Sequence, residues 1–238
     1  MRALTFLLIL AGWLPAQDLR QISLRTLCFK RVGDVKEVML MGGSKEKPVP
    51  TPVPLYQSIY SDQIQAEVSG DKLTFSLPVT SKTGETVYKP VGEGALPSGN
   101  RLAAIFIPSG DADKPYKILV LDETEKAFPL GSTILVNLAP EPTRITLGEH
   151  DMTIPPGKME KIPMATNVND LKQATVRIFV PMEGPRKWRP VSSTTWRILP
   201  ELRNLAIAYQ NPKNGRTSVN CYQEVPPWRL PQFEEPKS

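Results

Sequence analysis

The groups able to do chemistry in this chain are few and scattered. The single histidine, His150, lies in Gly148-Glu149-His150-Asp151. A Ser-His-Asp relay needs a base held by a third group and aimed at a nucleophile. Asp151 adjoins His150, but neighbouring residues of a strand face opposite ways. No Gly-x-Ser-x-Gly elbow occurs, so His150 reads as a turn residue. Ser23, Ser58 and Ser109 are followed three residues on by Thr26, Ser61 and Ala112, so none of these serines has a lysine base at that spacing. Asp111 and Asp113, with Ser109, offer hard oxygens for calcium, but the glycine and glutamate of a calcium loop are missing, and a solvated hairpin tip is expected. Gly92, Gly94 and Gly99 do not match a dinucleotide fingerprint. One histidine and two cysteines far apart in the chain lack the ligand spacing of a zinc site. The expectation is therefore no catalytic residue, no metal, no cofactor and no enzyme. A hydrolase with an unrecognised site stands as the third alternative.

The tryptophans point toward binding. Trp188, Trp196 and Trp228 sit late in the chain among Arg186, Lys187, Arg189, Arg197 and Arg229. Aromatic faces beside cations can stack on sugar rings and attract acidic groups. Trp188, Arg186 and Arg189 are the candidate ligand-binding set. The structural alternative places Trp196 in the core and uses Trp188 and Trp228 to pin loops.

Such side chains need a frame, and the chain's opening says where that frame works. Met1-Arg2, an apolar run from Ala3 to Trp13 and then Leu14-Pro15-Ala16 have the layout of a secretory signal peptide. The run is too short for a bilayer span, which needs about twenty residues. Residues 1–16 are read as a cleaved leader, which places the mature chain outside the cytoplasm, in the periplasm or secreted. No transmembrane segment is expected once the leader is gone. Formal charge is +5, and Arg2 lies in the leader, leaving +4. That mild excess is spread along the chain, unlike a nucleic-acid footprint, so no nucleic-acid partner is expected. Acidic glycans or anionic lipid headgroups remain compatible with it. In an oxidising compartment Cys28 and Cys221 are a candidate disulfide joining the first and last strands; two unpaired thiols are the alternative.

The patterning is that of a β protein. Proline, 25 of 238 residues, is about twice the usual share and cuts long helices short. Leu73, Phe75 and Leu77 alternate with Lys72, Thr74 and Ser76, as in a sheet with one wet face. Val176, Ile178 and Val180 repeat the pattern. Further strands are read at 19–29, 35–41, 55–60, 63–68, 101–107, 116–121, 132–138, 144–147, 152–154, 159–162, 194–199, 205–209 and 217–224. Residues 42–54 read as a loop and a proline-rich extended stretch of polyproline geometry, serving as a stiff sheet-edge connector or, alternatively, as a docking segment for a partner's aromatic groove; 80–100 reads as a long loop. Asp122–Phe128 and Asn167–Lys172 are the only helix candidates. Short strands at such spacing argue for an all-β, immunoglobulin-like antiparallel β-sandwich. It spans 17–225 as one large sandwich or, divided near 123–129, as two small tandem ones. The paired cysteines would favour one. A proline-rich tail, 226–238, is expected to be loosely held.

The run Phe128-Pro129-Leu130-Gly131-Ser132-Thr133-Ile134-Leu135-Val136-Asn137-Leu138, with Ile154-Pro155-Pro156-Gly157-Lys158, resembles uncharacterised secreted bacterial β-sandwich proteins. The resemblance covers about thirty residues of turn and strand and implies envelope location and β architecture. The leading expectation is a non-enzymatic, exported binding or scaffolding protein whose partner is an envelope protein or glycan. A carbohydrate-binding or carbohydrate-active module using Trp188 is the alternative.

Overall fold

The computed structural model describes residues 19–44, 46–182 and 188–230. Residues 1–16, read above as a leader, Arg186, Lys187 and the tail beyond 230 lie outside the described residues. No helix among the described residues is long and apolar enough to cross a membrane. The protein is all-β, and the chain divides into two compact units, Met1–Leu121 and Asp122–Ser238.

The first unit holds β1 (Arg20–Cys28), β2 (Glu37–Gly43), β3 (Pro48–Pro54), β4 (Ile64–Val68), β5 (Lys72–Thr80), β6 (Thr86–Ala95), β7 (Arg101–Pro108) and β8 (Tyr116–Asp122). They form two four-stranded sheets, in the orders β4-β1-β7-β8 and β3-β2-β5-β6. Alternation buries one face of each. Leu24, Leu102 and Phe106 from one sheet share a core with Leu40, Val53 and Phe75 from the other. Phe106 meets Phe75 and Tyr116 edge to face, with ring centroids 4.8 and 5.5 Å away.

The second unit holds β9 (Thr133–Asn137), β10 (Thr143–Leu147), β11 (His150–Ile154), β12 (Met159–Ile162), β13 (Gln173–Pro181), β14 (Trp188–Arg197), β15 (Arg203–Gln210) and β16 (Thr217–Glu224). Its sheets run β12-β9-β15-β16 and β11-β10-β13-β14. That is the first unit's topology, strand for strand. In each unit the first strand lies parallel to the seventh, β1 to β7 and β9 to β15; the other pairs of defined register are antiparallel. Leu135, Ala206 and Ala208 pack against Ile145, Ile154 and Ile178 in a second core.

A buried cation holds the second unit's entry segment. Arg203, fully buried, donates to Glu123 Oε1 at 3.0 Å and Glu224 Oε1 at 3.1 Å. Its guanidinium carbon lies 4.5 Å from the Phe128 ring centroid and 4.9 Å from that of Trp228. The segment read as a helix at 122–128 is thus a turn tied to β15 and β16, and 167–172 is likewise turn. The only helix among the described residues is the 3₁₀ turn Pro227–Arg229. It anchors the start of the tail: Trp228 caps Arg203, and Arg229 pairs with Glu125 at 2.7 and 2.8 Å.

Four further expectations change. Residues 48–54 form edge strand β3 rather than a polyproline segment, and 86–95 form β6 rather than loop, while 55–60 contributes no strand. The Cys28–Cys221 bridge is not formed: both thiols are free, Cys28 buried at the end of β1 and Cys221 on β16. Cys28 ends β1 inside the first core, where burial pushes its thiol up to about 11.

Candidate functional site

The outer face of the β11-β10-β13-β14 sheet gathers the aromatic and charged groups of the second unit. Arg144 on β10 stands opposite Phe179 on β13, and Phe179 opposite Pro190 on β14. Two residues along β14, Trp188 stands opposite Pro181. Phe179, Trp188 and Arg144 therefore share one side of the sheet, since successive strand residues alternate. Ile178, one residue before Phe179, points the other way into the core. A bulge between Ile178 and Phe179 leaves Val191 as the extra residue on β14 and sets the phase of the strand end carrying Trp188.

Arg144 organises this face. Its Nε donates to Asp151 Oδ1 at 2.8 Å and its Nη2 to Oδ2 at 2.5 Å, a bidentate pair. Arg144 beside it holds the Asp151 carboxyl below the usual range, and Asp151 in turn raises the Arg144 guanidinium. The guanidinium carbon lies 5.6 Å from the Phe179 ring centroid and 5.9 Å from that of Trp188. Asp151 takes two of its five N–H donors, leaving three for another acceptor. Phe179 and Trp188 are each partly buried, with Arg144 over both rings. The arrangement offers two aromatic platforms with a fixed, fork-shaped donor between them. That suits a ring with an apolar face and hydroxyls at its rim.

The three candidate binding residues fare differently. Trp188 lies on this face. Arg189 lies on the opposite side of β14, paired with core residue Val180 and reaching the strand's edge. Arg186 falls outside the described residues. The cation that accompanies Trp188 is Arg144, from a strand 44 positions earlier, which neighbourhood in the chain did not reveal. Trp196 is half-buried and packs on the second core, and Trp228 caps Arg203.

The other chemistry-bearing residues are spread apart. His150 opens β11 with its Nε2 3.4 Å from Glu149 Oε1. Glu149 accepts hydrogen bonds from the backbone N–H of Thr166 at 2.8 Å and of Asn167 at 2.9 Å, which push its carboxyl down to about 2. Asp111 and Asp113 occupy the tip between β7 and β8, where Asp111 Oδ1 accepts from the Asp113 N–H at 2.8 Å. Two Ser-x-x-Lys spacings do occur, Ser44/Lys47 and Ser69/Lys72. Ser69 donates its hydroxyl to the Gly43 carbonyl at 2.9 Å, and Lys72 faces Glu93 at 3.9 Å. Among the described residues no group of three or more His, Cys, Asp or Glu side chains is placed to hold a metal ion.

No protein-family model matches the chain, and no curated protein matches it in sequence.

Proposed function

We propose that the protein is an exported, non-enzymatic binding protein of a bacterial cell envelope whose second unit holds a glycan on its outer sheet face. The observation that carries the glycan assignment is the Trp188–Arg144–Phe179 cluster, in which a guanidinium clamped by Asp151 stands between two partly exposed rings. Sugar rings stack on such platforms through their C–H faces and hydrogen-bond through their hydroxyls. Export is supported by the leader pattern of residues 1–16. The tandem sandwich fold is compatible with this role and does not by itself specify it.

The test is retention on a panel of immobilised neutral envelope and plant polysaccharides. The protein is expected to be retarded by at least one of them. Trp188→Ala loses at least tenfold in affinity while keeping its β-type circular dichroism spectrum and melting temperature. Retention unchanged by Trp188→Ala would dispose of the proposal.

A further inference from the structure

The two units share more than strand order. Leu40 stands opposite Phe75 in the first and Ile145 opposite Ile178 in the second, which makes Phe75 and Ile178 counterparts. In both units a bulge follows at once, between Phe75 and Ser76 and between Ile178 and Phe179. The residue opposite the next position is proline in each, Pro90 and Pro190. Around them run Tyr88-Lys89-Pro90-Val91-Gly92 and Trp188-Arg189-Pro190-Val191-Ser192. The succession is the same: aromatic, cation, proline, valine, small residue. Tyr88 faces Pro78 and Trp188 faces Pro181. Strands β2 and β10 both lead into a glycine at positive φ, Gly43 at 75° and Gly148 at 56°. The two units thus correspond strand by strand and position by position along this motif.

At the edge next to this motif the copies differ. In the first unit a Cβ on Gly92 would lie 2.5 Å from the Tyr116 carbonyl oxygen, and one on Gly94 2.6 Å from the Val120 side chain. Only glycine lets β6 lie this close to β8. Their counterparts, Ser192 and Thr194, carry side chains. Between β14 and the start of β16 there is a groove of about 310 Å³, lined by Arg189, Pro190, Val191, Asn214, Arg216 and Ser218 among others.

Charge differs as well. In the first unit Lys89 faces Asp113 at 3.6 Å, and Glu93 faces Lys72 and Lys114 at 3.9 and 4.0 Å. In the second, Arg189 replaces Lys89, Ser193 replaces Glu93, and residues 211–216 contain no acid. Arg189 and Arg216 are exposed and form no ion pair among the described residues.

We infer that the β14–β16 groove is an anion-binding site for the carboxylate of a uronate-bearing polysaccharide. Two guanidinium forks match carboxylates bidentately. Asn214 and Ser218 supply hydrogen-bonding groups for the ring hydroxyls. Arg189 stands on the other side of β14 from Trp188, so the charged pair is distinct from the glycan face proposed above, with Pro190, opposite Phe179, bordering both.

Polygalacturonate, neutral dextran and poly-glutamate are the probes, with affinities measured across a salt series on the whole protein. Polygalacturonate is expected to bind with an affinity that falls as salt rises, and dextran not at the groove. The double variant Arg189→Ala/Arg216→Ala loses at least tenfold toward polygalacturonate with an unchanged melting temperature. Lys89→Ala, the first-unit counterpart, changes it less than twofold. The double variant leaves retention on neutral polysaccharide within twofold of the unmodified protein, which keeps failure of this site distinct from failure of the aromatic face. Equal loss in Lys89→Ala, or no loss in the double variant, would overturn the inference. Poly-glutamate binding as tightly as polygalacturonate would overturn the assignment to a polysaccharide.

Discussion

At the scale of single residues, two carboxylate arrangements make the second unit sensitive to acid and to mutation. Glu149 is exposed yet accepts two backbone N–H bonds from the loop after β12, which hold its carboxyl down at about 2. A carboxyl depressed in the folded state stabilises the fold above its ordinary titration range and loses that contribution as pH falls through the folded value. The stability difference between the protein and Glu149→Gln should therefore be largest above about pH 4.5 and shrink as pH falls toward 2. Denaturant midpoints across that window check it; a difference independent of pH would contradict it. Arg203 is a different case, because it is fully buried between Phe128 and Trp228 and neutralises Glu123, itself 1% exposed. Removing one partner of a buried ion pair strands the other charge, at a cost of about 3–5 kcal/mol. Arg203→Met should destabilise the second unit by about that amount, read as an early urea transition in hydrogen exchange of β9–β16 with β1–β8 still protected. Loss of protection in both units together would contradict it.

At the scale of elements, strands with clean alternation were legible and strands built around special residues were not. Leu73-Thr74-Phe75 and Val176-Arg177-Ile178 announce β5 and β13 because each buries every second side chain. Strand β3 was hidden by its prolines at 48, 50, 52 and 54, which suggest polyproline geometry. They fall on alternate positions, so Val49, Thr51 and Val53 supply every N–H that points at β2, while the prolines face the free edge. An edge without donors cannot template another strand, and the same residues that obscured the strand protect it. Strand β6 was hidden by Pro90, Gly92 and Gly94. These read as loop residues until the bulge and the close approach of β8 explain them. The repeat of Tyr88–Gly92 at Trp188–Ser192 was present in the sequence. It escapes notice because few residues are identical and the intervals between matched strands vary, so pairing registers are needed to align them. The glycan face was half legible. Trp188 stands out by type, but Arg144 joins it only across two strand pairings.

At the scale of the whole molecule, the chain is a tandem of eight-stranded sandwiches with one topology and separate cores. The two units share this topology and differ at one matched edge. Here the first keeps an edge closed by glycines and lined by paired charges, while the second exposes Arg189 and Arg216 at that edge and an aromatic cluster on the adjoining face. The account thus assigns ligand binding to the second unit. The most direct test is an NMR titration of the isotopically labelled whole protein with soluble neutral and uronate oligosaccharides. The account predicts that at least one neutral sugar shifts the Trp188 indole signal together with Phe179 and Arg144, while the resonances of β1–β8 stay in place. A silent Trp188 indole for every sugar, or shifts centred on the first unit, would contradict it.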